Sequence, residues 1–161
     1  MSLLPVSRMS FFTGVERPDG LGLQMHFRRD LVYTDIVVAR AFEGYENTVH
    51  GGMIFGILDT IMWYAIIMAT KKICMTRKTD MDFFKPMKCN TRYRGEGKLL
   101  RVEGRDVWAT AWIDDAEKER CAQVTALFRE PKRLDRERLL SRLDFTGVSP
   151  EIRELFLLGT P

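Results

Sequence analysis

The chain has 161 residues, 45% hydrophobic and 29% charged, a balance that favours one packed domain burying about 70% of its unfolded surface and excludes disordered, collagen-like and staple-dependent classes. Its 25 Lys and Arg against 22 Asp and Glu leave a charge of +3 without a basic block, so no nucleic-acid footprint is present. Cys74, Cys89 and Cys121 are widely spaced and the only imidazoles are His26 and His50, so reduced thiols in a cytoplasmic protein are expected, with no metal site.

Residues 1–12 hold one arginine and a short apolar stretch, but no uninterrupted h-region or small-residue cleavage site, so no export signal is expected. After the Arg17-Pro18-Asp19-Gly20 turn signal, Leu21, Leu23, Met25 and Phe27 alternate with Gly22, Gln24, His26 and Arg28. That alternation predicts a half-buried strand. Val32 to Arg40 is rich in β-branched residues and predicts a second strand, joined to the first by a short hairpin turn at Arg29-Asp30.

The period then changes. Within Met53–Ala69, Ile54, Ile57, Leu58, Ile61, Ala65 and Ala69 share one helical face, while Phe55, Trp63, Ile66 and Ile67 fill the others. This segment is at the lower limit for a membrane span, and Asp59 near its middle would add roughly 2.5–3.5 kcal/mol to insertion. A buried helix in a soluble fold is the better reading, and no membrane partner is expected. A helix apolar nearly all round needs cover on every side, from its own sheet and from a second chain or a ligand.

Strands return from Ile73, first with Met75, Thr79, Met81 and Phe83, ended by Lys85-Pro86. Cys89 to Gly104 follows, and its glycines Gly95 and Gly97 together with an apolar parity that slips to Leu100 and Val102 predict a bulged, bent strand. Val107 to Ile113 and Ala122 to Phe128 alternate as two more, with Trp108 and Trp112 outward as candidate interface residues. Helices are expected over Lys132–Leu143 and from Ser149-Pro150-Glu151 to Leu158. The expected architecture is α+β: a single domain over 1–161, with a core at about 21–130 and a helical extension at about 131–161, in which a curved antiparallel sheet wraps a long central helix.

The chemistry concentrates around that helix. His50-Gly51-Gly52 puts bare N–H groups at its amino terminus, where dipole and unsatisfied donors favour a developing oxyanion, although two glycines also simply ease a tight entry. Asp59 is the only acid between Glu46 and Asp80 and lies among Phe55, Leu58, Met62 and Trp63. A carboxylate there is costly unless paired, which marks it as a general base or nucleophile, or as a structural acid bonded to Arg77 or Thr79. The nine residues from His50 to Asp59 span roughly 13 Å along the axis. One carbonyl cannot meet both groups of one chain, so a shared site needs a two-fold with roughly antiparallel helices.

Gly44, His50-Gly51-Gly52, Asp59 within Gly56-Ile57-Leu58-Asp59-Thr60, and Thr79-Asp80-Met81-Asp82-Phe83-Phe84-Lys85-Pro86 together resemble the hotdog-fold acyl-CoA thioesterases, in the branch that includes the phenylacetate-pathway thioesterases. The likeness runs more loosely from about Leu21 to Arg129. It implies a hotdog homodimer or homotetramer with acyl-CoA as substrate and no cofactor, hydrolysing the thioester between subunits. Gly52 N–H would polarise the carbonyl beside Gly51, His50 would shape the pocket, and Asp59 of the opposite subunit would activate water or attack. Asn47 stands where some relatives place a carbonyl-contacting amide, and Thr79 or Thr76 would orient water. Lys85, Lys88, Arg92 and Arg94, around the turn after Phe84, are candidates for the coenzyme A phosphates or else a solvated face. Cys121 or Cys74 acting with His50 lacks an activating neighbour. The alternatives on the same fold are a non-catalytic acyl-CoA-binding or regulatory protein and a hydratase; the latter is disfavoured because the helix carries Asp59 rather than a site histidine.

Overall fold

The computed structural model describes residues 2–158. Arg29 and Asp30 both adopt left-handed backbone, at φ 48° and 66°, the conformation of a two-residue hairpin turn. They join β3 (His26–Arg28) to β4 (Leu31–Val37). The first expected strand is shorter than its alternation predicts. Leu23 and Met25 are buried as the pattern requires, but Leu21 and Leu23 donate to the carbonyls of Phe11 and Phe12, and the Met25 carbonyl accepts from Leu4, each at 2.9 Å. The amino-terminal segment, with β1 (Ser2–Leu3) and β2 (Val6–Ser7), therefore supplies the partner.

A small hairpin of β5 (Glu43–Tyr45) and β6 (Thr48–Val49) leads into α1, Gly51–Thr70. Lys71 ends the helix in left-handed conformation, its N–H donating to Ile67 at 2.8 Å. Four long strands follow: β7 (Met75–Phe83), β8 (Arg92–Glu103), β9 (Asp106–Asp114) and β10 (Arg120–Arg129). The seven-stranded sheet has the order β1-β3-β4-β8-β9-β10-β7, with antiparallel pairing throughout. It curves round α1 and buries Ile57, Leu58, Ile61 and Met62 completely, each such side chain contributing about 1.5–3 kcal/mol.

Gly95 and Gly97 do not form the bulge. A Cβ at either would stand 2.7 Å from Ile61, so the glycines let α1 press against β8. The bulge lies farther on, between Leu99 and Arg101: its extra residue Leu100 is exposed, and Val102 returns to the face of its partner, the buried Val107. A second bulge falls between Leu127 and Phe128: Leu127 pairs with Lys78 and Phe128 with Thr76, leaving Arg77 as the extra residue of β7. On the outer face, Trp108 and Trp112 lie under Arg101 and Arg120, at 4.0 and 5.1 Å from ring centre to guanidinium carbon, so the chain's own cations cover part of the surface read as an interface.

The helix expected over 132–143 shrinks to α2, Arg136–Leu140, capped by Asp135 accepting from the Arg138 N–H at 2.9 Å. It stops because Leu143–Asp144 is a strand, β11, paired with β2. The last helix, α3 (Pro150–Leu158), begins at its proline as expected. Its Phe156 packs between Tyr64 and Phe145, with ring centres at 6.4 and 6.3 Å. One hydrophobic cluster runs from Leu4 to Phe156.

Candidate active site

At the amino end of α1 the cap is His50, whose Nδ1 accepts from the Gly52 N–H at 2.9 Å. That bond assigns the proton of the neutral imidazole to Nε2. It also corrects the expectation for Gly52: its N–H is held inside the chain. Met53 and Ile54 donate to the His50 carbonyl at 2.9 and 3.3 Å. The Gly51 N–H and the His50 Nε2–H have no acceptor among the described residues. They are the donors this helix end can offer to a carbonyl oxygen. Gly44 supports the cap sterically, since a Cβ there would stand 3.1 Å from His50 Cδ2.

Asn47 is a turn residue. It sits at φ 53°, its N–H donates to Glu43 Oε2 at 2.9 Å, and its carbonyl accepts from Cys89 N–H at 3.3 Å. This geometry explains its place in the β5–β6 hairpin without a substrate contact. Beside the helix end lies a cavity of about 270 Å³ lined by Gly51, Ile54, Phe83, Phe84, Lys85 and Met87, among others. Phe84 stands at its rim, 59% exposed.

The expected phosphate cluster is dispersed. The Lys85 ammonium is held by Asp115 and Glu119, which push its pKa upward. Arg94 pairs with Asp35 at 3.3 Å and lies over Tyr33. Arg92 faces a different cavity, with Leu21, His26 and Asp35. Lys88, bridged to Thr48 beside the helix end, has no ion-pair partner among the described residues.

The second centre is Asp59. Its Oδ1 accepts from Thr76 Oγ1 at 2.6 Å. Burial pushes the carboxyl above the ordinary carboxylate range, and the Thr76 hydroxyl partly opposes that shift. The β7 bulge explains the partner. Thr79, Met81 and Phe83 pair with the inward residues Ala126, Val124 and Ala122. Strict alternation would carry this face on to Arg77, whereas the extra residue brings in Thr76 instead. Neither Arg77 nor Thr79 bonds Asp59. Both Asp59 and Thr76 line a cavity of about 480 Å³ with Trp63, Tyr64, Cys74 and Met75.

Cys74 does not fit the nucleophile role, because burial and Glu130 push its thiol up to about 11. Burial raises Cys121 as well. Both favour the unreactive thiol at neutral pH.

The two centres line separate cavities, as expected for groups roughly 13 Å apart along one helix. Between them runs the inward face of β7, Phe83, Met81, Thr79 and Thr76, largely exposed. β7 is also the terminal strand of the sheet, with Met75 and Phe83 58% and 55% exposed.

Residues 46–121 match the family model of the thioesterase superfamily. An uncharacterised Schizosaccharomyces pombe protein is 29% identical over 99 residues, covering 58% of this chain and 57% of its own length. Among solved structures, a thioesterase superfamily protein superposes with a TM-score of 0.72 at 24% identity, over 76% of this chain and 64% of that one. This chain thus spans less than two thirds of both relatives. The Escherichia coli PaaI protein from the phenylacetic acid degradation operon gives 0.63 at 14% identity, over 69% and 80% of the two chains. A Streptococcus mutans protein bound to acetyl CoA gives 0.60 at 17% identity, over 68% and 88%. The fold is the hotdog fold of these neighbours, and residues 46–121 carry the similarity to the thioesterase superfamily.

Proposed function

We propose that this chain, with its thioesterase-superfamily pattern on a hotdog fold, hydrolyses an acyl-CoA to free acid and coenzyme A at a site shared between two copies. The observation that carries the proposal is Asp59: a partly buried carboxyl in the middle of an apolar helix, oriented by Thr76 and facing a cavity. A structural acid has little reason to stand at a cavity wall with a raised pKa. The acetyl CoA held by the Streptococcus mutans neighbour supports the ligand class.

In the proposed step the Asp59 carboxylate takes a proton from water as the water oxygen attacks the thioester carbonyl carbon. Negative charge develops on the carbonyl oxygen, which accepts from the Gly51 N–H and the His50 Nε2–H at the partner's helix end. Collapse of the tetrahedral adduct breaks the C–S bond, and the proton held by Asp59 passes to the departing thiolate. The exposed edge of β7, with Phe83 and Phe84 beside the helix end, is the surface we assign to the two-fold contact. Lys88 replaces Lys85 as the candidate for a coenzyme A phosphate. The three free, buried cysteines fit a reducing compartment such as the cytoplasm.

A thiol-release assay with an acyl-CoA panel tests this reading. Asp59→Asn is expected to lose at least about a hundredfold in kcat with the fold intact. Near-normal turnover by that variant would overturn the mechanism. Acyl-CoA binding without thiol release by the wild type would establish a binding protein instead.

A further inference from the structure

The cavity at Asp59 has a wall that lies outside the family-matched residues 46–121. Ser7, Ser10 and Thr13 line it from the amino-terminal segment, and Leu139, Arg142 and Leu143 line it from the carboxy-terminal one. The two ends are clasped together. Val6 and Ser7 pair with Asp144 and Leu143, and the Arg8 N–H donates to the Arg142 carbonyl at 3.2 Å.

The clasp is fastened to α1 on both sides of the carboxylate. Three residues before Asp59, the Phe12 ring lies so close on Gly56 that a Cβ there would stand 2.1 Å from it. Five residues after Asp59, the buried Tyr64 side chain lines the cavity together with Thr13 and Ser7 of the clasp. The wall is therefore held against the helix that carries the reacting group, and the cavity it closes has an apolar part formed by Trp63, Phe128 and Leu139.

We infer that this clasp is the acyl-measuring wall of the site, and that it selects medium-length acyl groups of about eight to twelve carbons over acetyl. The inference rests on the thioesterase reading above. A cavity of about 480 Å³ has room for on the order of ten to sixteen heavy atoms at roughly 30 Å³ each, the share of a molecule in liquid water. Its mouth is open, so the lower half of that range is the enclosed length. Acetyl would leave most of the apolar wall wet and gain little from it, whereas a decanoyl chain would cover it.

Leu139 is a half-buried wall residue of α2 with no part in the chemistry, which makes it the place to change the depth. The experiment measures kcat/KM for acetyl-, hexanoyl-, decanoyl- and hexadecanoyl-CoA with wild type, Leu139→Trp and Leu139→Ala. Binding of the non-hydrolysable ethyl, hexyl, decyl and hexadecyl thioethers of coenzyme A is titrated in parallel. Decanoyl is expected to exceed acetyl at least about a hundredfold, the order of several buried methylenes. Leu139→Trp should shift the optimum towards hexanoyl by about tenfold in relative kcat/KM, and Leu139→Ala should shift it towards hexadecanoyl. The thioethers should follow the same order in Kd. The same length profile in all three proteins, or a preference for acetyl, would overturn the inference. Length-dependent thioether binding without thiol release would keep the wall and refute hydrolysis, so the two readings fail separately.

Discussion

Burial holds the Asp59 carboxyl above the ordinary carboxylate range, and the Thr76 hydroxyl draws it back by donating to the ionised form. Two outcomes follow from the sign of that balance. A general base works when deprotonated, so the acid limb of kcat/KM should lie above the usual aspartate value of about 3.9. Thr76→Val removes the opposing hydrogen bond and should move the limb to higher pH, with Thr76→Ser restoring it. A limb at an ordinary aspartate value, unmoved by Thr76→Val, would contradict the assignment. The same shift makes Asp59 a cost to folding at neutral pH. Because its folded pKa is raised, the stability linked to its proton is present below the unfolded value and lost as pH rises through the folded one. Asp59→Asn should therefore melt a few degrees higher than wild type near pH 7.5 while losing activity, and the gap should narrow towards pH 4 in a calorimetric series. Asp59 itself is legible in the sequence as the lone acid of an apolar run. Thr76 enters there only through the family resemblance, as an alternative to Thr79: the β7 bulge that turns it inward has no sequence signal, and strict alternation points to Arg77. The His50–Gly52 hydrogen bond is equally silent, because the tripeptide records which donors exist and not which are already engaged.

For the long elements, the 3.6 and 2.0 periods of the hydrophobic pattern carried the reading, and α1, β7, β8, β9 and β10 fall within a few residues of expectation. Each is long enough for its buried face to repeat. The amino-terminal segment and the strand after α2 were not legible for the opposite reason. β1, β2 and β11 are two residues each, too short to show a period, and β2 and β11 depend on each other across more than a hundred residues, as Ser7 and Leu143 show. The glycines of β8 have a packing role that supports a direct test. A Cβ at Gly97 would meet Ile61 at 2.7 Å, Ala111 at 3.0 Å and the Thr110 carbonyl at 3.1 Å. The last of these is backbone and cannot move aside cheaply. Gly97→Ala should lower unfolding stability by about 1–3 kcal/mol in urea titration, with the m-value unchanged. A neutral substitution would mean that α1 does not bear on β8 as closely as described.

In the whole molecule, the helix that organises the core also separates the two halves of the chemistry. Gly51 and His50 stand at its start and Asp59 more than two turns along, so the site we propose requires the Asp59 of one copy to face the helix end of another. The terminal position of β7 and the exposed Phe83 and Phe84 leave a face for that contact. The measurement that tests this claim most directly is complementation between two impaired subunits. His50→Ala removes the cap and the Nε2 donor from one helix end, and Asp59→Asn removes the base. In a mixed dimer one site carries both defects and the other is wild type at both positions. Each parent alone should be poor. After subunit exchange, verified by native mass spectrometry, an evenly mixed population should recover about a quarter of wild-type activity, since half its dimers are mixed and each holds one intact site. Complete exchange with no recovered activity would show that His50 and Asp59 do not meet across two chains.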